Sequence, residues 1–225
     1  YDPSTVFSFI DERGRYAYAN QPSMALWNLT RLAEALLPLL AEEDTTAITL
    51  AQQALAQFER QFQAAYLAGL RAKVGLTQAQ PEDGALVQNL LTTLQENRLD
   101  FTQTFRVLST PEALQPLEPQ HAGHQLAPLL ALKAWLPAWH QRLKQEGNIT
   151  PHERAAQMQA VNPLYIPRNH LVEEMISKAI TQGDERAFET LLAVTTNPYK
   201  EQPGYERYAQ SAQPHEQVRH TFCGT

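Results

Sequence analysis

The sequence predicts a mainly α fold, and three features carry that reading. Apolar residues recur at spacings of three and four through most of the chain, the period of a helix face. Proline, glycine and Asx residues fall between those periodic stretches, where helices start and stop. Alternation of the strand type is confined to a short stretch around Tyr16 and Tyr18. With 225 residues and 43% hydrophobic side chains the chain is long enough to bury a core. About eight helices packed as a single unit over residues 1–225 are expected.

Taken in order, residues 1–20 read as extended or looped, with Val6, Phe7, Phe9 and Ile10 a short apolar run. Residues 14–40 read as a turn followed by a long, mostly buried helix. Pro22 suits the first helical turn, where its missing N–H would have no partner. Leu26, Leu29, Ala33, Leu36, Leu37 and Leu40 follow with helical spacing, and Pro38 is expected to kink or end that helix. A second helix over 46–74 shows Leu55, Phe58, Phe62, Tyr66 and Leu70 on one face and stops at Gly75. After a turn-rich break, 85–97 form a helix on Leu86, Leu90, Leu91 and Leu94. Asp100 then caps a helix through Phe101, Phe105 and Leu108. These make a first helical group, 21–108.

Residues 109–125 hold three prolines, a glycine and two histidines and read as a long surface loop. The second group and tail, 126–225, begins with Leu129, Leu132, Leu136, Trp139 and Leu143, one helix bent at Pro137. Thr150, Pro151 and Glu153 write a capping box for a helix reaching about Ala160. Leu171, Val172, Met175, Ile176, Ala179 and Ile180 form the apolar face of the next helix, with Glu174 and Lys178 an i,i+4 pair on its wet face. Gly183 ends it, Asp184 caps its successor, and Phe188, Leu191 and Leu192 bury that one. The tail has too many prolines for a long helix.

Composition excludes some function classes. The net charge is −6 and the basic residues are scattered, so no nucleic-acid partner is expected. No run of 18 apolar residues offers a membrane span, and there is no charged-then-apolar leader. One cysteine, Cys223, permits no internal disulfide and suits a reducing compartment, so a cytoplasmic, bacterial-type location is expected. The chain opens at Tyr1 as if in the middle of something, and is read as a fragment of a longer protein.

No catalytic constellation emerges. His121 and His124 form an HxxH pair, but two ligands in a Pro/Gly loop are too few for a closed zinc site. His140, His152 and His170 fall on three separate helices, without the nucleophile or phosphate-loop motifs that would give them chemistry, and read as structural. Glu42-Glu43 and Glu173-Glu174 are adjacent on helices, about 100° apart, and cannot converge on one substrate. No catalytic, cofactor-binding or metal-binding residue is therefore assigned.

A resemblance adds to this. GRYAY (14–18), QP (21–22), WNL (27–29) and RLAEALLPL (31–39) come first. RAKVGL (71–76), DFTQTFRVL (100–108), WLPAWHQRL (135–143) and NPLYIPRNHLVEEMI (162–176) follow in order. Together they resemble the selenoprotein O family, SelO or YdiU, over nearly the whole chain. That family is similar in fold to protein kinases, so the chain would be the helical C-terminal portion of a kinase-like fold, with residues 1–20 its activation-segment-like region. Its members are protein adenylyltransferases, which move AMP from ATP onto hydroxyl side chains of other proteins. The resemblance implies ATP and Mg²⁺ as cofactors of the full-length protein. It places the family's ATP-binding lysine, metal ligands and catalytic aspartate upstream of Tyr1. The fragment would then be inactive alone, its partners the upstream catalytic portion of the same chain and protein substrates.

The family-like residues Asp11, Gly14, Arg15, Tyr16, Tyr18, Trp27, Asn28, Arg168, Asn169 and His170 would act structurally or on the substrate side. Cys223 is the redox candidate, because eukaryotic members carry selenocysteine at this antepenultimate place. Some bacterial members pair a C-terminal cysteine with one in the activation-like segment, where this chain has Phe7. The alternative reading is a non-enzymatic helical interaction module, which an upstream kinase-like Gly-rich and Asp-x-Gly sequence would sink.

Overall fold

The computed structural model describes residues 1–115, 127–218 and 221. Among these the regular structure is helical and no strand occurs. Where the sequence reading treats the chain as one unit, the described residues group into two compact units. The N-terminal unit is Asp2–Gly69 with Thr221, and the core unit is Tyr1 with the described part of Leu70–Arg219.

In the N-terminal unit, turns lead through a 3₁₀ turn, Tyr18–Asn20, into helix α1, Gln21–Leu40, and then into α2, Asp44–Lys73, whose last residues enter the core unit. Pro22 stands in the first turn of α1 as expected. Pro38 neither ends α1 nor stops it short: the helix runs to Leu40 and Ala41 is extended. Two residues from the end, a proline removes a single N–H bond, and little helix remains to be disrupted. The expectation of a mostly buried α1 is overturned. None of its residues is buried, and Leu39 is 81% exposed. Throughout Asp2–Gly69 the buried residues are Ala17, Ala47 and Ala51. Phe58, Phe62 and Tyr66 do share one face of α2, stacked at 6.0 and 5.8 Å, but none of them is buried.

The core unit has α3 (Asp83–Glu96), α4 (Phe101–Leu108), α5 (Ala127–Ala131), α6 (Leu136–Leu143), a 3₁₀ turn (Lys144–Glu146) and α7 (Pro151–Gln159). It continues with α8 (Asn169–Gln182), α9 (Arg186–Thr196) and α10 (Glu206–Ala209). Leu90, Leu94, Phe105, Leu108, Leu129, Leu132, Trp139 and Met158 fill its interior. Trp135 and Trp139 stack at 5.3 Å, and each indole N–H finds a carbonyl, Leu86 O at 2.9 Å and Val74 O at 2.8 Å. The caps at Asp100 and Thr150 form as the sequence requires, the latter a full capping box with Glu153. Gly183 closes α8 in the left-handed region.

Three expectations here are corrected. Residues 129–143 are not one bent helix: α5 ends at Ala131, and Pro137 lies in the first turn of α6, where proline costs nothing. Glu185, not Asp184, holds the cap position of α9. The Asp184 carboxylate instead accepts the Arg186 N–H at 3.1 Å and pairs with its guanidinium. Of the three α9 side chains expected inside, Leu191 is buried but Phe188 and Leu192 are half-exposed, as Ile176 and Ile180 on α8 are also exposed.

The turn between α2 and α3 is clamped by a buried charge cluster. Arg142 Nε donates to Asp83 Oδ1 at 2.7 Å and Nη2 to the Gln78 carbonyl at 2.7 Å. Its Nη1 faces Glu146 Oε1 at 2.7 Å, a charge contact whose geometry falls short of a hydrogen bond. Glu146 also accepts the Thr77 N–H at 2.7 Å and the Thr77 hydroxyl, while Asp83 accepts the Gln80 N–H at 2.9 Å. All three charged residues are at least 96% buried. This explains why α3 starts at Asp83, two residues before the apolar pattern begins.

Removing one partner of such a cluster leaves charge buried without compensation, which typically costs about 3–5 kcal/mol. Arg142→Met should lower the stability of the full-length protein by about that much, read as a shift of the urea midpoint. Gly75, at φ 75°, is the second sensitive point, since an added Cβ would stand 2.8 Å from Met158 Sδ. Gly75→Ala should cost about 2–4 kcal/mol in the same experiment.

Candidate functional site

Two places gather the residues singled out from the sequence. In the N-terminal unit the GRYAY turn is built around the Asp11 carboxylate, which accepts the Arg15 N–H and the Tyr16 N–H, both at 2.8 Å. Gly14 supplies the left-handed residue, φ 64°, and its carbonyl accepts from Asn20 Nδ2 at 2.8 Å. Gln21 Nε2 donates to the Tyr16 carbonyl, and the Tyr18 N–H to Thr5 O at 2.9 Å. The fixed turn places the Arg15 guanidinium 4.4 Å from the Trp27 ring centre and 5.6 Å from that of Tyr16. Trp27, Tyr16 and Arg15 are all exposed. Asn28 lies exposed on α1.

In the core unit, Arg168, Asn169 and His170 line an open cleft of about 1590 Å³ with Arg98, Asp100, Gln103, Arg106, Glu201 and Ser211 among its other walls. Asp100 organises one wall. It caps α4 through the Gln103 N–H at 2.8 Å, accepts both Arg168 Nη groups at 2.7 and 3.3 Å, and accepts the Ser211 hydroxyl at 2.7 Å. Arg168 Nη2 and Gln103 Nε2 both donate to Ala209 O, so the tail is tied to the same point. Burial works to raise the Asp100 pKa, but Arg168, the Gln103 N–H and Ser211 outweigh it and hold the carboxyl below its usual range. Arg106 is half-buried with the carbonyls of Gln159 and Asn162 as its hydrogen-bond acceptors, at 3.3 and 3.2 Å.

His170, in the first turn of α8, is lowered in pKa chiefly by burial, with Glu216 opposing and Arg168 adding to the shift. It does not cap α8; Arg168 holds that position, without a side-chain bond. Nearby, Glu174 binds Arg207 at 2.5 Å and Lys178 at 2.6 Å, which hold its pKa at about 2. His121, His124 and Cys223 lie outside the described residues. Among the described residues no three His, Cys, Asp or Glu side chains are grouped to hold a metal ion. Likewise, among the described residues no helix is long and apolar enough to cross a membrane.

Sequence reasoning missed the part played by Asp100 beyond its cap, missed Ser211 altogether, and met Arg106 only within the DFTQTFRVL motif. A cap aspartate and a cleft aspartate look the same in one dimension. Only Arg142 left a trace, standing four residues before Glu146 at the spacing of a helical ion pair.

Comparison with known proteins identifies the relatives of this chain. The family model described as "Protein adenylyltransferase SelO" matches residues 1–196. A "Protein nucleotidyltransferase YdiU" of Rhodopseudomonas palustris strain BisB18 is 51% identical over the whole chain, which covers 45% of that relative's length. The like-named protein of strain HaA2 is 48% identical with the same coverage, and that of Methylorubrum extorquens is 47% identical, with 46% covered. The chain thus spans about half the length of the curated relatives it matches.

The lowered carboxylates set a pH dependence. Asp100, Glu146 and Glu174 all have folded pKa values below their ordinary ones. Stability from each is therefore complete above the ordinary carboxylate range and lost as pH falls through the lowered value. For Glu174 that window runs from 4.5 down to about 2. Urea midpoints taken between about pH 7 and about pH 3 should fall on the acid side, and Glu146→Gln should flatten part of that fall.

Proposed function

We propose a role for this chain from one premise: it belongs to the SelO family of protein adenylyltransferases. It forms the helical C-terminal part of an enzyme that moves AMP from ATP onto protein hydroxyl groups. Its own task is to support the catalytic segment and to contact the protein substrate. In this reading the fold of the whole is kinase-like, ATP and Mg²⁺ are bound by the portion upstream of Tyr1, and the 225 residues alone are inactive. Nucleotidyl transfer depends on positioning and on charge neutralisation at the phosphates. A helical support contributes to the first of these.

The observation that carries the reading is the open face of α1. Leu29, Leu32, Leu36 and Leu40 lie on one helical stripe, all exposed, and the unit containing them buries no side chain larger than alanine among its described residues. A contiguous apolar stripe of this kind marks a surface meant to be covered. Half of each relative's length lies outside the matched region, so there is chain enough to cover it.

The decisive test is transfer of labelled AMP from ATP by the full reading frame and by this fragment. Label moved by the full frame and not by the fragment is the expected result. Transfer by the fragment would place a nucleotide site inside these residues, and silence from both would favour a helical interaction module. Within the full frame, Leu32→Asp and Leu36→Asp should each reduce transfer about tenfold or more by loosening the support, since a buried charge in place of leucine costs well over 1.4 kcal/mol.

A further inference from the structure

The Arg15 side chain meets two aromatic rings of its own unit, Trp27 and Tyr16, but no carboxylate among the described residues. The turn that carries it is over-determined: both Asp11 oxygens are spent on backbone N–H groups, Asn20 holds the Gly14 carbonyl, and Gln21 holds the Tyr16 carbonyl. The guanidinium at the end of this rigid mount lies 4.4 Å from the centre of the exposed Trp27 ring. Among the described residues it makes no ion pair. Arg31, 5.5 Å from the same ring, is by contrast paired with Glu34 at 2.6 Å. A guanidinium resting on an aromatic face keeps its in-plane N–H fork free, and that fork matches a carboxylate in a bidentate pair. Pre-organisation of this sort lowers the ordering cost that a flexible surface arginine would otherwise meet on binding.

We infer that Arg15, mounted on Trp27, is a docking point for an acidic segment of the protein substrate. The inference rests on the adenylyltransferase reading above and adds the substrate class. Charge complementarity selects the occupant: the uncompensated group is cationic and planar, whereas the chain as a whole carries −6 and would not attract acidic partners by its general field.

The test uses the full-length protein and two peptides, one with a serine flanked by glutamates and one with glutamines in their place. Binding is followed by fluorescence anisotropy, and transfer by labelled ATP. The glutamate peptide should bind about tenfold tighter, the ratio for a charge-assisted pair worth roughly 1.5 kcal/mol. Arg15→Ala should abolish that ratio through KM, Arg15→Lys should restore it in part, and Arg15→Glu should invert it toward a lysine-flanked peptide. Equal binding of the two peptides by the unaltered protein would overturn the proposal. So would a preference that survives Arg15→Ala, with thermal melts confirming that the variant is folded. A glutamate preference without any AMP transfer would leave the docking point standing and sink the enzyme reading. Transfer without a preference would do the reverse.

Discussion

The core unit depends on one buried cation. Arg142 stands between Asp83 and Glu146, and through them holds Thr77, Gln78 and Gln80, the turn by which the chain leaves α2 and enters α3. Charges taken out of water must be matched closely, since their desolvation offsets most of the attraction between them. Here the match is made with backbone groups as well as side chains. The cluster therefore fixes a path for the chain that apolar packing, being non-directional, would leave loose. Burial pushes the Glu146 pKa up, but the Thr77 hydroxyl and N–H together with Arg142 hold it down, so Glu146 stays ionised at neutral pH.

Around that fixed turn the remaining contacts are consistent with one another. Trp139 reaches Val74 just before the turn and Trp135 reaches Leu86 just after it. Arg154 donates to the Gly75 carbonyl, and the fully buried Asn162 donates to Lys73 O and to Ser109 Oγ. Arg154 and Asn162 are tolerated this deep because each finds a partner. The N-terminal unit has no counterpart of this. It has well-formed helices, a rigid turn and a cation held on an indole, but its apolar side chains face outward.

Much of this was legible in the residues. The caps at Asp100 and Thr150, the stops at Gly75 and Gly183 and the Glu174–Lys178 pair follow from local rules acting over three or four residues, and they stand as read. Family membership was legible too, because the GRYAY, WNL and RNHL motifs are contiguous. The errors fall where distance along the chain separates cause from effect. Pro38 and Pro137 carry the same local signal, yet one sits in the last turn of α1 and the other in the first turn of α6.

By itself, then, the sequence determined the helical class, most helix ends and the family, because each is set by short-range periodicity, capping and motif. Tertiary structure alone decided which apolar faces are covered. The stripes on α1 and on α9 look alike in sequence to those on α3 and α6. Burial is a property of what lies opposite a face, and a helix does not encode its neighbour. The same reason hid the roles of Asp83, Asp100 and Arg142. Each also has a partner 59 to 111 residues away in the chain, a separation that only folding closes.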